Sequence, residues 1–335
     1  MQSSNTCANN YSFADRAYAS ISQRMLPAEL ALMQDDIAAV RRLKQERNAI
    51  ILAHHYQTPE IYYGVADIVG DSLVLAREAM NVDASVIVVA GVHFMAETAK
   101  LLNPDKTVLI PDSRAGCSLA ESITATDVRN LRRRHPGLPI IAYVNTSAAV
   151  KAEVEYCCTS ANAKRVVEFA AHEAGTDTVI MLPDRYLAAN TARTTSINII
   201  AWDGACEVHQ RFAAADIAHV RAQYENVTVL AHPECPEDVV EVADFSGSTA
   251  AMADFIRKHR PTRVALITEC SMSDNVAAEV PETEFVKPCN LCPHMKRITL
   301  GNIRLSLETM GKEVIIEPVI ASRARISVER MLAIP

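Results

Sequence analysis

Three stretches of the chain, ILAHHY at 51–56, IIAYVN at 140–145 and VLAHPE at 229–234, begin 89 residues apart each time. Self-similarity at a fixed interval constrains a fold strongly, because one supersecondary unit has to be built at every copy. The register persists downstream. The Ser/Thr-rich openings GDS (70–72), TSA (159–161) and GST (247–249) follow the three stretches at nearly equal distances. Each unit then closes on a cysteine: Cys117 ends VLIPDSRAGC, Cys206 ends IIAWDGAC and Cys292 ends FVKPCNLC. Three equivalent cysteines from three equivalent units predict one shared centre.

Units of 89 residues within a chain of 335 are a plausible size for small α/β domains. Residues 1–27 are polar, lack periodicity and end at a proline, which reads as an N-terminal extension. From Ala28 to Arg47 the apolar residues Leu30, Leu32, Met33, Ile37, Val40 and Leu43 recur at mostly helical spacing, predicting a lead-in helix. Each unit then alternates apolar strands with amphipathic helices. The predicted strands are 50–53, 85–90 and 108–110; 140–144, 178–182 and 197–201; and 227–231, 263–268 and 284–286. Helices are expected from Ser72 and Phe94, from Ser160 and Asp184, and from Ser248 and near Asn275. This alternation predicts an α/β fold of three pseudo-symmetric, three-layer domains with small parallel sheets. The domains expected are 28–118 plus 293–335, 119–206 and 207–292. A helix over Met295–Met310 and a strand in EVIIEP (313–318) exceed the repeat and are assigned to the first domain.

A net charge of −7 and a pI near 5.8 argue against a nucleic-acid surface, and the basic run Arg132–Arg134 with Arg129 reads as a solvated helix face. No stretch has the uninterrupted apolar length of a membrane span, and the first residues lack an apolar signal core, so the cytoplasm is the compartment expected. Nine cysteines in that setting point to thiols, metal ligation or redox chemistry rather than to a disulfide scaffold.

In open parallel sheets ligands bind beyond the carboxyl ends of the strands. Those positions carry His54, His55 and Tyr56; Tyr143 and Asn145; His232 and Glu234; and the three unit-closing cysteines. Three thiolates can hold a cubane iron–sulfur cluster and leave one iron open to substrate. An unpaired cysteine is often only a small buried apolar residue. Zinc usually shows two closely spaced cysteine pairs, and only Cys289/Cys292 is such a pair here. Cys289 is expected as a reversible redox partner able to remove a cluster ligand, and Cys157, Cys158, Cys235 and Cys270 as packing residues. Ser72, Ser160 and Thr249 stand at predicted helix starts, where side chains cap the helix and free N–H groups also attract anions. His54, His232 and Glu234 are the acid–base candidates, and His209 lies one turn beyond Cys206.

The ordered motifs ILAHHYQ, GDSLVLA, GVHFMAETAK, PDSRAGCSLA, AYVNTSA, TSANA, LPDRYLA, WDGACEVH, HPEC, GST and CPHMKRITL resemble quinolinate synthase from about residue 37 to the end of the sequence. The resemblance implies three α/β domains around a central cavity and one [4Fe–4S] cluster per chain on Cys117, Cys206 and Cys292. It implies condensation of iminosuccinate (iminoaspartate) with dihydroxyacetone phosphate to quinolinate, phosphate and water in de novo NAD biosynthesis. L-Aspartate oxidase would be the functional partner, with neither nucleic acid nor membrane involved. Carried over by motif, the substrate-binding positions are His54, Ser72, Tyr143, Val144, Asn145, Ser160, His232, Pro233, Glu234 and Thr249, and the proton-transfer roles fall to Tyr56, His232 and Glu234. Two positions depart from the family pattern. His55 stands where Asn or Tyr is common and receives no direct role, and Val286 fills the first position of the family's CxxCxxC form. An aconitase-like hydro-lyase and an iron–sulfur sensor are the competing functions. The motifs beyond the cysteines argue against the first, and the lack of a visible output surface against the second.

Overall fold

A computed structural model describes residues 26–334, so most of the 1–27 extension, with Cys7, lies outside the described residues. Among the described residues twelve strands form three four-stranded sheets. The first contains β1 (Ala49–His54), β2 (Ile68–Gly70), β3 (Val86–Ala90) and β4 (Thr107–Leu109). The second contains β5 (Ile140–Tyr143), β6 (Tyr156–Cys158), β7 (Thr178–Leu182) and β8 (Asn198–Ala201). The third contains β9 (Val227–Ala231), β10 (Phe245–Ser246), β11 (Arg263–Ile267) and β12 (Glu284–Val286). The spatial order is β2-β1-β3-β4, β6-β5-β7-β8 and β10-β9-β11-β12, with parallel pairing throughout. One topology is therefore built three times.

The continuous apolar runs VIVVA in β3 and VIML in β7 are buried, as strands covered on both faces must be. One contiguous apolar cluster fills the first two units and reaches the inner residues Leu230, Val264 and Leu266 of the third sheet. A separate cluster of Phe212, Ile217, Val229 and Ile267 lies beside it.

An ion pair recurs with the repeat. Lys44, Arg132 and Arg221, each on the helix before a central strand, meet Asp67, Glu155 and Asp244 at 2.6, 2.7 and 3.0 Å. Each of those carboxylates also accepts the backbone N–H of Ile51, Ile140 or Val229, at 2.8, 2.9 and 2.7 Å. The acid thus ties the lead-in helix to the first central strand in all three units. Arg132, expected on a solvated face, takes part in this tie; its exposure is intermediate, which keeps its worth below that of a buried pair.

The C-terminal segment departs from expectation in three ways. The predicted helix 295–310 is a short 3₁₀ turn, Met295–Arg297, followed by a helix over Leu300–Thr309. Thr299 causes the break, since its hydroxyl caps Asn302 N while the Asn302 side chain returns to Thr299 N. The EVIIEP segment forms only an isolated antiparallel bridge, Glu313 to Leu109. Pro318 then opens a helix over Pro318–Ala333, its missing N–H harmless in the first turn. That helix lies against β6 and the helices Ala148–Lys151 and His93–Leu102.

Candidate active site and metal centre

The central strands of all three sheets end at one cavity of about 710 Å³, counted to its mouth, a size suited to small molecules. Equivalent positions meet there: His54, Tyr143 and His232 at the strand ends, and Tyr56, Asn145 and Glu234 two residues on. Ser72, Ser160 and Thr249 line the same space, as do Cys117, Cys206 and Cys292. Val144 and Pro233, between lining residues, are not themselves part of the lining.

Local structure explains each placement. Ser72 opens the helix Ser72–Ala79, whose N-cap Asp71 accepts Leu73 N and Val74 N at 3.0 and 2.9 Å. Thr249 opens Thr249–His259 behind the N-cap Ser248. Ser160 differs from expectation. Asn162 accepts Thr159 N through its side chain at 2.7 Å and holds a turn, so the helix begins at Ala163. Ser160 therefore reaches the cavity from a turn. His55, given no role from sequence, lies 2.8 Å from the Thr249 hydroxyl through Nδ1.

The acid–base groups form a buried network. Tyr143 donates to Glu234 Oε1, while His209 Nδ1 lies 2.8 Å from Glu234 Oε2 and 3.2 Å from Cys206 Sγ. His209 Nε2 is 2.9 Å from the Thr268 hydroxyl, which lies 2.5 Å from the Tyr56 hydroxyl. Burial opposes ionisation of Glu234, but His209, His232 and the Tyr143 donor outweigh it and hold its carboxyl well below the usual range. Burial lowers the His232 pKa to about 3 and carries His54 well down too, so both rings are neutral near pH 7. The two histidines match in detail. Nδ1 of His232 accepts Glu234 N at 3.3 Å and Nδ1 of His54 accepts Tyr56 N at 3.2 Å. A neutral ring accepting at Nδ1 carries its proton on Nε2, so each is a hydrogen-bond donor at that atom. Burial also drives Tyr56 and Tyr143 well above the ordinary phenol value, keeping both protonated.

The cysteines repeat even more closely. Each sulfur accepts backbone N–H groups two and three residues on: Leu119 and Ala120 at Cys117, Val208 and His209 at Cys206, His294 and Met295 at Cys292. Peptide donors aimed at sulfur favour thiolate and tune a bound cluster. Two residues before Cys206 only glycine fits, since a Cβ on Gly204 would strike the Pro183 carbonyl. Burial raises the Cys117 thiol to about 12 and moves Cys206 and Cys292 the same way, a cost that metal coordination removes by displacing the proton. The donor set therefore fits a three-cysteine centre. A second set shares one thiol, since ligand atoms of Cys206, His209 and Glu234 lie within 4.8 Å of one another and could hold a metal ion.

Cys289 corrects the redox expectation. It is bonded to Cys270, with Cα atoms 5.1 Å apart, and Cys292 remains free. Cys270 is thus not simply a packing residue, whereas Cys157, Cys158 and Cys235 are buried and free, as expected.

The family model for quinolinate synthetase A protein matches residues 38–333. The chain belongs to this family. It is 64% identical over 313 residues to quinolinate synthase 2 of Mesorhizobium japonicum, spanning 93% of this chain and 95% of that one. It is 63% identical over 312 residues to the quinolinate synthase of Agrobacterium fabrum (93% and 89%), and 56% over 315 residues to that of Caulobacter vibrioides (94% and 86%). In this quinolinate synthetase A family member, sequence reasoning missed three groups at or beside the site. Thr268 joins Tyr56 to His209 and follows β11 directly, so the strand-end rule could have found it. Asp184 caps the helix Arg185–Ala192 through Oδ1, and burial with the nearby Glu234 raises its carboxyl well above the usual range. His294 and Glu207, both in the cavity lining, pair at 2.8 Å. No helix among the described residues is long and apolar enough to cross a membrane.

Proposed function

We propose that the chain condenses iminosuccinate with dihydroxyacetone phosphate, giving quinolinate, phosphate and water for NAD biosynthesis in the cytoplasm. The observation that carries this reading is the convergence of three equivalent thiols, each with the same pair of peptide donors, on a cavity walled by the Glu234 network. An L-aspartate oxidase would deliver the iminosuccinate. Cys117, Cys206 and Cys292 would hold one [4Fe–4S] cluster per chain. When bound, the cluster supplies a Lewis-acidic iron to substrate oxygen and so assists loss of water.

The rest of the chemistry belongs to the side chains. Ser72 and Thr249, at helix N-termini, and Ser160, in its turn, bind the carboxylates and phosphate of the two substrates. The Nε2–H groups of His54 and His232 donate to substrate oxygen, and Asn145, whose buried Oδ1 has no partner among the described residues, receives a substrate donor. Glu234, ionised and hydrogen-bonded, accepts a proton at its carboxylate and passes it through Tyr143 or His209. Tyr56, protonated and tied to Thr268, donates to the leaving or ring-closing oxygen.

A single ion on Cys206, His209 and Glu234 is the second reading, favoured by the proximity of those ligand atoms. It would occupy the carboxylate that the first reading uses as a base. An anaerobic assay with both substrates and metal-loaded protein tests the main reading: quinolinate should form, and its absence from a protein carrying a full cluster would reject it.

A further inference from the structure

In each unit one side-chain nitrogen holds two carbonyls of the strand-end loop. In the first unit Asn275 Nδ2 donates to His55 O at 2.9 Å and Gln57 O at 2.8 Å. In the third Asn190 Nδ2 donates to Pro233 O and Cys235 O, both at 2.9 Å. Positions 55 and 57 and positions 233 and 235 are repeat equivalents, placed alike relative to the stretches at 51 and 229. The equivalent pair in the second unit is Val144 and Thr146, and the Lys151 ammonium donates to both, at 2.8 Å for Val144 O.

The clamps run from unit to unit. Asn190, on the helix after β7, reaches forward from the second unit to the third; Asn275, on the helix after β11, reaches from the third to the first. Both stand eight residues beyond the last residue of the preceding strand, Leu182 or Ile267, and eight beyond Ala90 in the first unit stands Thr98. Its hydroxyl is too short for the task and turns back to Phe94 O at 2.8 Å. The helix that carries Thr98 does face the second unit's loop, since its Glu97 accepts Ala148 N at 2.9 Å. Lys151 fills the missing place from within its own unit.

These groups are costly to keep. Lys151 is fully buried, and among the described residues its hydrogen bonds go to the two carbonyls. Asn190 and Asn275 are buried, and among the described residues Oδ1 is unpartnered in both. Apolar side chains would avoid that penalty but leave the carbonyls loose. We propose that Asn275, Asn190 and Lys151 are positioning residues, three equivalent clamps that fix the loops presenting His54 and Tyr56, His232 and Glu234, and Tyr143 and Asn145 to substrate.

The catalytic half of this inference rests on the proposed synthase reading, and the structural half does not. The test compares full-length, cluster-loaded wild type with Lys151→Met and with Lys151→Met/Thr98→Asn, which rebuilds the amide clamp in its symmetric place. Amide hydrogen exchange is measured over 54–58, 143–147 and 232–236, with kcat and KM for quinolinate formation. Lys151→Met should speed exchange at 143–147 alone and lower kcat about tenfold or more, with smaller change in KM, the signature of misplacement. The double variant should recover both to within about threefold. Should Lys151→Met fail to fold, Asn275→Leu and Asn190→Leu serve in its place, with faster exchange confined to 54–58 and 232–236 respectively. Unchanged exchange and kcat, or exchange rising equally in all three loops, would overturn the clamp. A wild type that makes no quinolinate would defeat the synthase reading, while the exchange pattern still decides whether the clamps exist.

Discussion

The second and third units end their central strands at matching positions, yet one end reads Tyr143–Val144–Asn145 and the other His232–Pro233–Glu234. The backbone is a copy and the chemistry is not. In the third unit the charge of Glu234 is sustained by His209 and the Tyr143 hydroxyl. The second unit contributes a donor to that carboxylate and an amide with an unfilled acceptor. On the synthase reading proposed above, a repeated frame would offer an asymmetric pair of substrates one wall for proton transfer and another for recognition.

That division can be broken by substitution. Glu234→Gln keeps the shape and removes the charge, so kcat should fall about 10²–10⁴-fold in steady-state assays with KM less affected. Asn145→Ala in the second unit should instead raise KM about tenfold and spare most of kcat, as expected for one lost hydrogen bond. If both variants lose kcat alike, the two walls do not divide the work. At the helix starts, Ser72→Ala and Thr249→Ala should raise KM several-fold more than Ser160→Ala, because Ser160 stands in a turn ahead of its helix and away from the helix dipole. Cys289→Ser should change activity and iron content least. Under non-reducing conditions it should lower stability by up to about 3 kcal/mol, the loop-closure contribution of a bridge between Cys270 and Cys289, seen as a lower denaturation midpoint.

Much of the frame was legible because the repeat exposes it. Central strands and their apolar runs recur in register, and the closing cysteines stand 89 and then 86 residues apart. Each of the nine expected strands is found to within a residue or two at its ends, whereas β2, β6 and β10, of two or three residues each, are too short to show a pattern and were not expected. What escaped depended on side chains that override local pattern. Asn162 delays a helix by turning the chain, Thr299 splits another, and Pro318 starts one beyond the repeat where no equivalent copy could signal it. Strand-end position placed His54, Tyr56 and Glu234 at the cavity, while the family resemblance alone added Val144 and Pro233, whose carbonyls accept from Lys151 and Asn190. The Cys270–Cys289 bridge joins residues 19 apart, where spacing suggested the nearer Cys292.

Whether the three unit-closing thiols form one centre decides most about how this site works. The iron and sulfide content of anaerobically reconstituted wild type, Cys117→Ser, Cys292→Ser and His209→Ala measures this directly. About four irons and four sulfides per wild-type chain, lost in both cysteine variants and retained in His209→Ala, is the result predicted. About one metal ion per chain, indifferent to Cys117 and Cys292 but lost with His209, would contradict it and place the metal on Cys206, His209 and Glu234 instead.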